Sequence, residues 1–211
     1  AVLADAVSTP YQAVRRSGIR REHLAVVVGL GGVGGFAAQL AAASGAGVVG
    51  IDIDRERLEV LSRHGVRLAI DPSTKDPREI KEAVATFASS AGLARHSWRI
   101  FECSGTKAGQ ELAWSLLVPG AYLSVVGFTR EKVEVRLSNL MAFDATARGN
   151  WGCLPELYPE ALTLLLDGVI AVRPFVEVRP MDEIRTVVED ARHHRLRKRI
   201  VLAPGDKEIA R

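Results

Sequence analysis

The chain has 211 residues, 47% hydrophobic and 25% charged, which suits one or two soluble globular domains. No apolar run reaches the length of a membrane span, and a formal charge of +3 does not by itself imply a nucleic-acid partner. The two cysteines, Cys103 and Cys153, lie far apart; they exclude a disulfide framework and a zinc knuckle and point to a reducing, cytoplasmic setting.

Residues 1–18 read as a helix, with Ala4, Val7, Tyr11 and Val14 at helical spacing and Gly18 as its stop. Thr9-Pro10 in its middle implies a kink or a fresh start. Asp5 there has an ordinary reading, a first-turn acid favoured by the helix dipole. Ala1 to Asp5 lacks a basic n-region and a long h-region, so no signal peptide is expected. The chain opens without Met in what reads as mid-element, and is expected to be a piece of a longer protein.

Leu24 to Val28 is a continuous apolar run, the pattern of a parallel strand covered on both faces. It breaks into Gly29-Leu-Gly-Gly-Val-Gly34, the G-x-G-x-x-G spacing, and then an Ala-rich helix from Phe36. Val48 to Ile51 is the second strand, ending in Asp52. Gly29 permits a tight turn, Gly31 lets the backbone approach a pyrophosphate, and Gly34 lets the helix pack on the strand. The helix N-terminus offers unpaired N–H groups and a positive dipole end to phosphates. Asp52, about twenty residues on, is placed to accept both hydroxyls of a ribose. Strand, glycine turn, helix and acid-ended strand together indicate a dinucleotide site. Gly32, Val33 and Ile53, inside these two turns, join its candidate residues.

A second helix starts at Arg55, a short third strand runs from Arg67 to Asp71, and Pro77 to Gly92 is amphipathic. Trp98 to Thr106 reads as a fourth strand entering a tight turn, Gly109 to Leu117 as a helix, and Ala121 to Phe128 as a fifth strand. This alternation specifies an α/β fold, a doubly wound parallel sheet with helices on both faces. Ligands of such sheets lie beyond the carboxyl ends of the strands. Cys103-Ser104 and Gly127-Phe128 are therefore either cofactor-lining turns or plain turns. Lys132 to Leu137 alternates with period two, and Ala145 to Gly152 is a possible sixth strand. Pro155 to Leu166 is a helix; the tail reads strand (Pro174–Val178), helix (Met181 to about His193), strand (Ile200–Leu202). The basic run Arg192 to Arg199 is either a solvated helix end or a contact for anionic phosphates. It carries no interleaved aromatic residue, which argues against nucleic acid.

Asp5-Ala-Val-Ser-Thr-Pro-Tyr-Gln-Ala together with Gly29-Leu-Gly-Gly-Val-Gly resembles the medium-chain dehydrogenase/reductase superfamily, the zinc alcohol dehydrogenases. The resemblance covers the whole chain but about the last three-fifths of such an enzyme. It implies a Rossmann domain over residues 14–168. Residues 1–13 and 169–211 would belong to a second, GroES-like catalytic domain that is mostly absent. Asp5 takes the place of the last catalytic zinc ligand, most often Cys in that superfamily, and an acid there departs from the common pattern while remaining chemically competent. Thr9 would lie near the nicotinamide, Asp52 would bind the adenosine ribose and favour NAD over NADP, with Arg57 nearby, and Arg199 would approach the pyrophosphate.

A narrower resemblance rests on Phe143-Asp-Ala-Thr-Ala-Arg-Gly-Asn-Trp-Gly-Cys153 and the basic tail. These are similar to 6-hydroxycyclohex-1-ene-1-carbonyl-CoA dehydrogenases of anaerobic benzoyl-CoA degradation. The resemblances imply NAD and zinc as cofactors, an acyl-CoA alcohol as substrate, neither nucleic acid nor membrane as partner, and a homo-oligomer. The other catalytic residues would lie outside this chain. The alternatives are a polyol or simple secondary alcohol dehydrogenase of the same superfamily, and a non-catalytic NAD-sensing module.

Overall fold

The computed structural model of the protein describes residues 1–193 and 195–204. Six parallel strands form one sheet: β1 (Leu24–Val28), β2 (Gly47–Ile51), β3 (Leu68–Ile70), β4 (Arg99–Glu102), β5 (Tyr122–Val125) and β6 (Thr146–Gly149). Their spatial order is β3-β2-β1-β4-β5-β6. Strand order reverses between β1 and β4, and the crevice beyond their carboxyl ends is where such sheets take ligands. All five residues of β1 are buried, as an unbroken apolar run in a sheet covered on both faces requires.

The helices are α1 (Ser8–Arg16), α2 (Gly34–Ala43), α3 (Arg55–Ser62), α4 (Pro77–Ser90), α5 (Lys107–Ser115), α6 (Ser138–Ala142), α7 (Tyr158–Leu166) and α8 (Ile184–Arg192). Alternate residues of β1 feed two cores. Ala25 and Val27 pack with Val14, Phe36, Leu40 and Ala161 under α1, α2 and α7. Leu24, Val26 and Val28 pack with Ile80, Val84, Trp98 and Leu112 under α4 and α5. Asp76 and Glu79 form a capping box at the start of α4, with Pro77 in its first turn. A separate parallel pair, β7 (Val176–Pro180) and β8 (Arg199–Ala203), is bridged by α8. No helix among the described residues is long and apolar enough to cross a membrane.

The break expected at Thr9-Pro10 is present: Val2–Ala4 is a 3-10 turn, and α1 starts afresh at Ser8 because Pro10, which lacks an N–H, is tolerated in a helix's first turn. Two expectations need correction. The period-two run Lys132 to Leu137 pairs with no strand of the described residues and leads into the short helix α6, which the pattern did not indicate. β7 starts two residues after Pro174, because Arg173–Phe175 forms a 3-10 turn.

Candidate cofactor site

The glycine turn joins β1 to α2 at the carboxyl edge of the sheet. Gly29 has φ +84°, and a Cβ there would stand 2.5 Å from the Ser104 backbone. A Cβ on Gly34 would collide with the Gly29 carbonyl, so the third glycine brings α2 against β1. Gly31 differs: a Cβ on it would meet nothing nearer than Arg57 Nη1 at 3.8 Å. The fold itself does not require a glycine at that position; a ligand approaching the backbone would. Val33 caps α2 without a side-chain hydrogen bond, whereas Asp54, Asp76 and Thr106 accept N–H bonds at the starts of α3, α4 and α5. Among the described residues, the N–H end of α2 is therefore without a side-chain cap.

Asp52 follows β2 and is buried. Its Oδ2 accepts the Leu30 N–H at 2.6 Å and its Oδ1 accepts the Asp54 N–H at 2.8 Å. The carboxylate is thus fixed across the glycine turn by two main-chain donors and keeps lone pairs for further donors. Arg57, in the first turn of α3, lies 3.8 Å from Asp52 Oδ2 and donates to the Leu196 carbonyl at 3.3 Å. Ile53 is exposed beside them. Gly31, Gly32, Arg57, Phe175, Arg197 and Arg199 line one cleft.

Asp5 lies just ahead of α1. Its Oδ1 accepts the Thr9 hydroxyl at 3.0 Å, and its Oδ2 accepts Arg199 Nη2 at 2.7 Å. The Arg199 side chain passes over the glycine turn, its Cδ 3.5 Å from where a Cβ on Gly32 would be. Thr9, Asp5, Arg199 and Gly32 therefore form one connected line. In the rest of the basic run, Arg195 pairs with Asp190 at 2.9 Å and Arg197 pairs with Glu56. His194 of that run is outside the described residues. These pairs hold two of the run's five Lys and Arg side chains in local structure; Arg199 is the member placed on the turn, and Arg197 and Lys198 line the same cleft.

On the other side of the crevice, Cys103 and Ser104 follow β4, and Gly127 and Phe128 follow β5. Burial pushes the Cys103 thiol far above its ordinary range, so it stands as a protonated wall against Gly34. Gly105 and Gly127 are in close contact, and Phe128 is exposed. All the candidate cofactor residues are thus at the carboxyl edge of one sheet, or, for Thr9 and Arg199, against it.

Sequence reading missed a buried polar clamp behind Thr9. Asn150 Nδ2 donates to the Thr9 carbonyl at 3.1 Å, and Gln12 Nε2 donates to the Gly152 carbonyl at 3.0 Å. Gln12 Oε1 accepts the Leu154 N–H at 2.9 Å. The one available signal was Gln12, a polar residue within the buried stretch of α1.

The model of the zinc-binding dehydrogenase family matches residues 32–167. The chain belongs to that family. Its members are oxidoreductases with NAD and zinc as cofactors. Among the relatives of this zinc-binding dehydrogenase chain is an alcohol dehydrogenase of Geobacillus stearothermophilus, 28% identical over 195 residues, covering 92% of this chain and 54% of that protein. A sorbitol dehydrogenase of Halalkalibacterium halodurans is 26% identical over 179 residues, covering 83% and 50%. The fold is shared with the crystal structure of the alcohol dehydrogenase of Aeropyrum pernix, with TM-score 0.84 and 24% identity over 97% of this chain and 57% of that one. The chain spans about half the length of the relatives it matches.

The residues present fit a dinucleotide: an open glycine at the turn, an α2 N-terminus without a side-chain cap, and an oriented acid at the end of β2. For zinc they are incomplete. Among the described residues no group of three or more His, Cys, Asp or Glu is placed to hold a metal. Asp5 is one carboxylate, engaged by Thr9 and Arg199.

Proposed function

We propose that this chain is the NAD-binding part of a zinc-dependent alcohol dehydrogenase that passes a hydride from a secondary alcohol carbon to C4 of nicotinamide. In this reading residues 14–168 are the nucleotide domain, and residues 1–13 and 169–211 belong with the catalytic domain. The observation that carries it is the opening at Gly31, where a Cβ would make only an ordinary contact, 3.8 Å to Arg57 Nη1, set between the α2 N-terminus and the fixed carboxylate of Asp52. Asp52 binds the adenosine ribose, the α2 N–H groups and Arg199 take the pyrophosphate, and Thr9, Ser104 and Gly127 border the nicotinamide half. Zinc held by Asp5 together with ligands outside this chain would supply Lewis acidity toward the alcohol oxygen. Asp5 is this chain's ligand to it. Asp5 already accepts the Thr9 hydroxyl and Arg199, and a pyrophosphate is a competing partner for that guanidinium.

Calorimetric titration of the chain with NAD, NADP and ADP-ribose tests the dinucleotide reading. NAD is expected to bind more tightly than NADP, because a 2′-phosphate would meet the Asp52 carboxylate. Equal affinities would contradict the role given to Asp52, and no binding of any of the three would sink the site.

The substrate we propose is an alicyclic 6-hydroxy-1-enoyl-CoA, as the motif from Phe143 to Cys153 and the basic run support. Arg197 is paired with Glu56 and Arg195 with Asp190, so a CoA phosphate meeting either of these two would have to displace an acid already in place. The names of the relatives favour a second reading, a polyol or simple secondary alcohol. A hydride-transfer assay on the full-length enzyme, following NADH absorbance, separates the two. Preference for the thioester over the free acid and over simple cyclic alcohols supports the CoA reading. Turnover of sorbitol-type or simple alcohols alone removes it and leaves the dehydrogenase.

The proposal includes a homo-oligomer. β6 is an edge strand with all four residues exposed, and Leu137, Met141, Trp151 and Leu154 are exposed large apolar side chains on and around it. Light scattering of the full-length enzyme gives the mass; a monomer at micromolar concentration would refute this part.

A further inference from the structure

Glu102 is the last residue of β4, and its side chain is fully buried at the mouth of the crevice. One carboxylate oxygen, Oε1, accepts the Ser104 N–H at 2.8 Å, the Ser104 hydroxyl at 2.6 Å and the Gly105 N–H at 3.1 Å. Its main-chain carbonyl accepts the N–H groups of Val126 and Gly127, each at 2.9 Å. A single residue thus holds the turn after β4 with its side chain and the turn after β5 with its backbone. The second oxygen, Oε2, is buried with no hydrogen-bond partner among the described residues and is 2.7 Å from where a Cβ on Gly127 would stand. Burying an acid with one oxygen unpaired is costly, and an apolar side chain would fill the same space without that cost. The three donors gathered at Oε1 can be satisfied only by an acceptor at this place.

The position of these turns follows from the strand order. With the adenosine ribose at Asp52 on β2 and the pyrophosphate at α2, the remaining half of a dinucleotide crosses the reversal point onto β4 and β5. We propose that Glu102 is a positioning residue for the nicotinamide half. It sets the spacing between the Ser104–Gly105 and Gly127–Phe128 turns at which their main-chain groups meet that half, without touching it. The inference rests on the dinucleotide reading above.

The test compares NAD with ADP-ribose, which lacks the nicotinamide, by calorimetry on the full chain. Wild type is expected to bind NAD the more tightly. Glu102→Ala is expected to lose about tenfold in NAD affinity while ADP-ribose stays within about twofold. Glu102→Gln keeps an amide oxygen at the Oε1 position and is expected to recover most of the NAD affinity. A role confined to stability would lower the melting temperature and leave the NAD to ADP-ribose ratio unchanged. Should the alanine variant fail to fold, Gly127→Ala spreads the same two turns from the other side, since its methyl would press on Gly105 and on Glu102 Oε2. It is expected to show the same selective loss. Equal wild-type affinities for the two ligands, an unchanged ratio in the variants, or a glutamine variant as poor as the alanine one overturns the proposal. Wild-type chain that binds neither ligand instead overturns the dinucleotide reading beneath it.

Discussion

A methyl group at Gly34 would collide with the Gly29 carbonyl, whereas one at Gly31 meets nothing nearer than 3.8 Å. The two substitutions should therefore fail differently. Gly34→Ala is expected to destabilise the fold by several kcal/mol, as backbone overpacking does, on the order of 1–3 kcal/mol or more, and should be seen in thermal melts without ligand. Gly31→Ala is expected to melt like wild type and to lose NAD affinity by about tenfold or more, because its methyl occupies the approach of the pyrophosphate. An undisturbed NAD affinity in Gly31→Ala would remove the phosphate role of the turn. Asp52 combines both kinds of constraint. Asp52→Ala leaves the buried Leu30 N–H without its acceptor, at a cost of about 1–3 kcal/mol, and should also abolish the preference of NAD over NADP. Calorimetry and melting on the same variant read the two effects separately.

Among the elements, α1 depends most on contacts the sequence does not announce. Its residue Thr9 is fixed from behind by Asn150, the residue after β6, and Gln12 holds the following loop at Gly152 and Leu154. Asn150→Ala leaves buried donors and acceptors unpaired and is expected to cost about 1–3 kcal/mol in chemical denaturation. By contrast, Asp76→Ala removes one surface cap of α4 and should cost about 1 kcal/mol with NAD binding unchanged. A loss of NAD affinity in the Asp76 variant would show that α4 communicates with the crevice, which the packing gives no reason to expect.

At the scale of the whole molecule, pH acts through His23, at the amino-terminal edge of the sheet just before β1. Burial and the neighbouring Arg99 guanidinium hold its pKa below the ordinary 6.5. The unfolded chain therefore binds the extra proton first, so this contribution to stability is complete above pH 6.5 and is lost as pH falls through that value toward the folded pKa. His23→Gln is expected to flatten the fall in melting temperature between about pH 7 and pH 5. An unchanged slope would place the effect elsewhere. NAD at about one hundred times its Kd should raise stability by about 2.7 kcal/mol through linkage alone, visible as an upward shift of the melt.

The sequence by itself determined the sheet. Apolar runs bounded by turns, alternating with helical periods, place β1 to β5 in order, because a strand buried on both faces admits few other side chains, while β5 ends at Val125, three residues before its run does. It also marked Gly29, Gly31, Gly34 and Asp52, whose chemistry is local and depends on spacing along the chain. The period-two run at Lys132 to Leu137 shows the limit: alternation states that one face could be buried, and whether the run pairs is decided by where the packed fold carries it. Only the tertiary structure decided that the Asp5 carboxylate meets Arg199, that Asn150 supports Thr9, and that Glu102 joins two turns. Asp5–Arg199 and Thr9–Asn150 join residues more than a hundred positions apart, while Glu102 reaches donors only two and three residues on but reads in sequence as the end of a strand. In each case pairing is set by where the packed cores bring the backbones, since a buried polar group must take whichever partner the fold brings within hydrogen-bond reach.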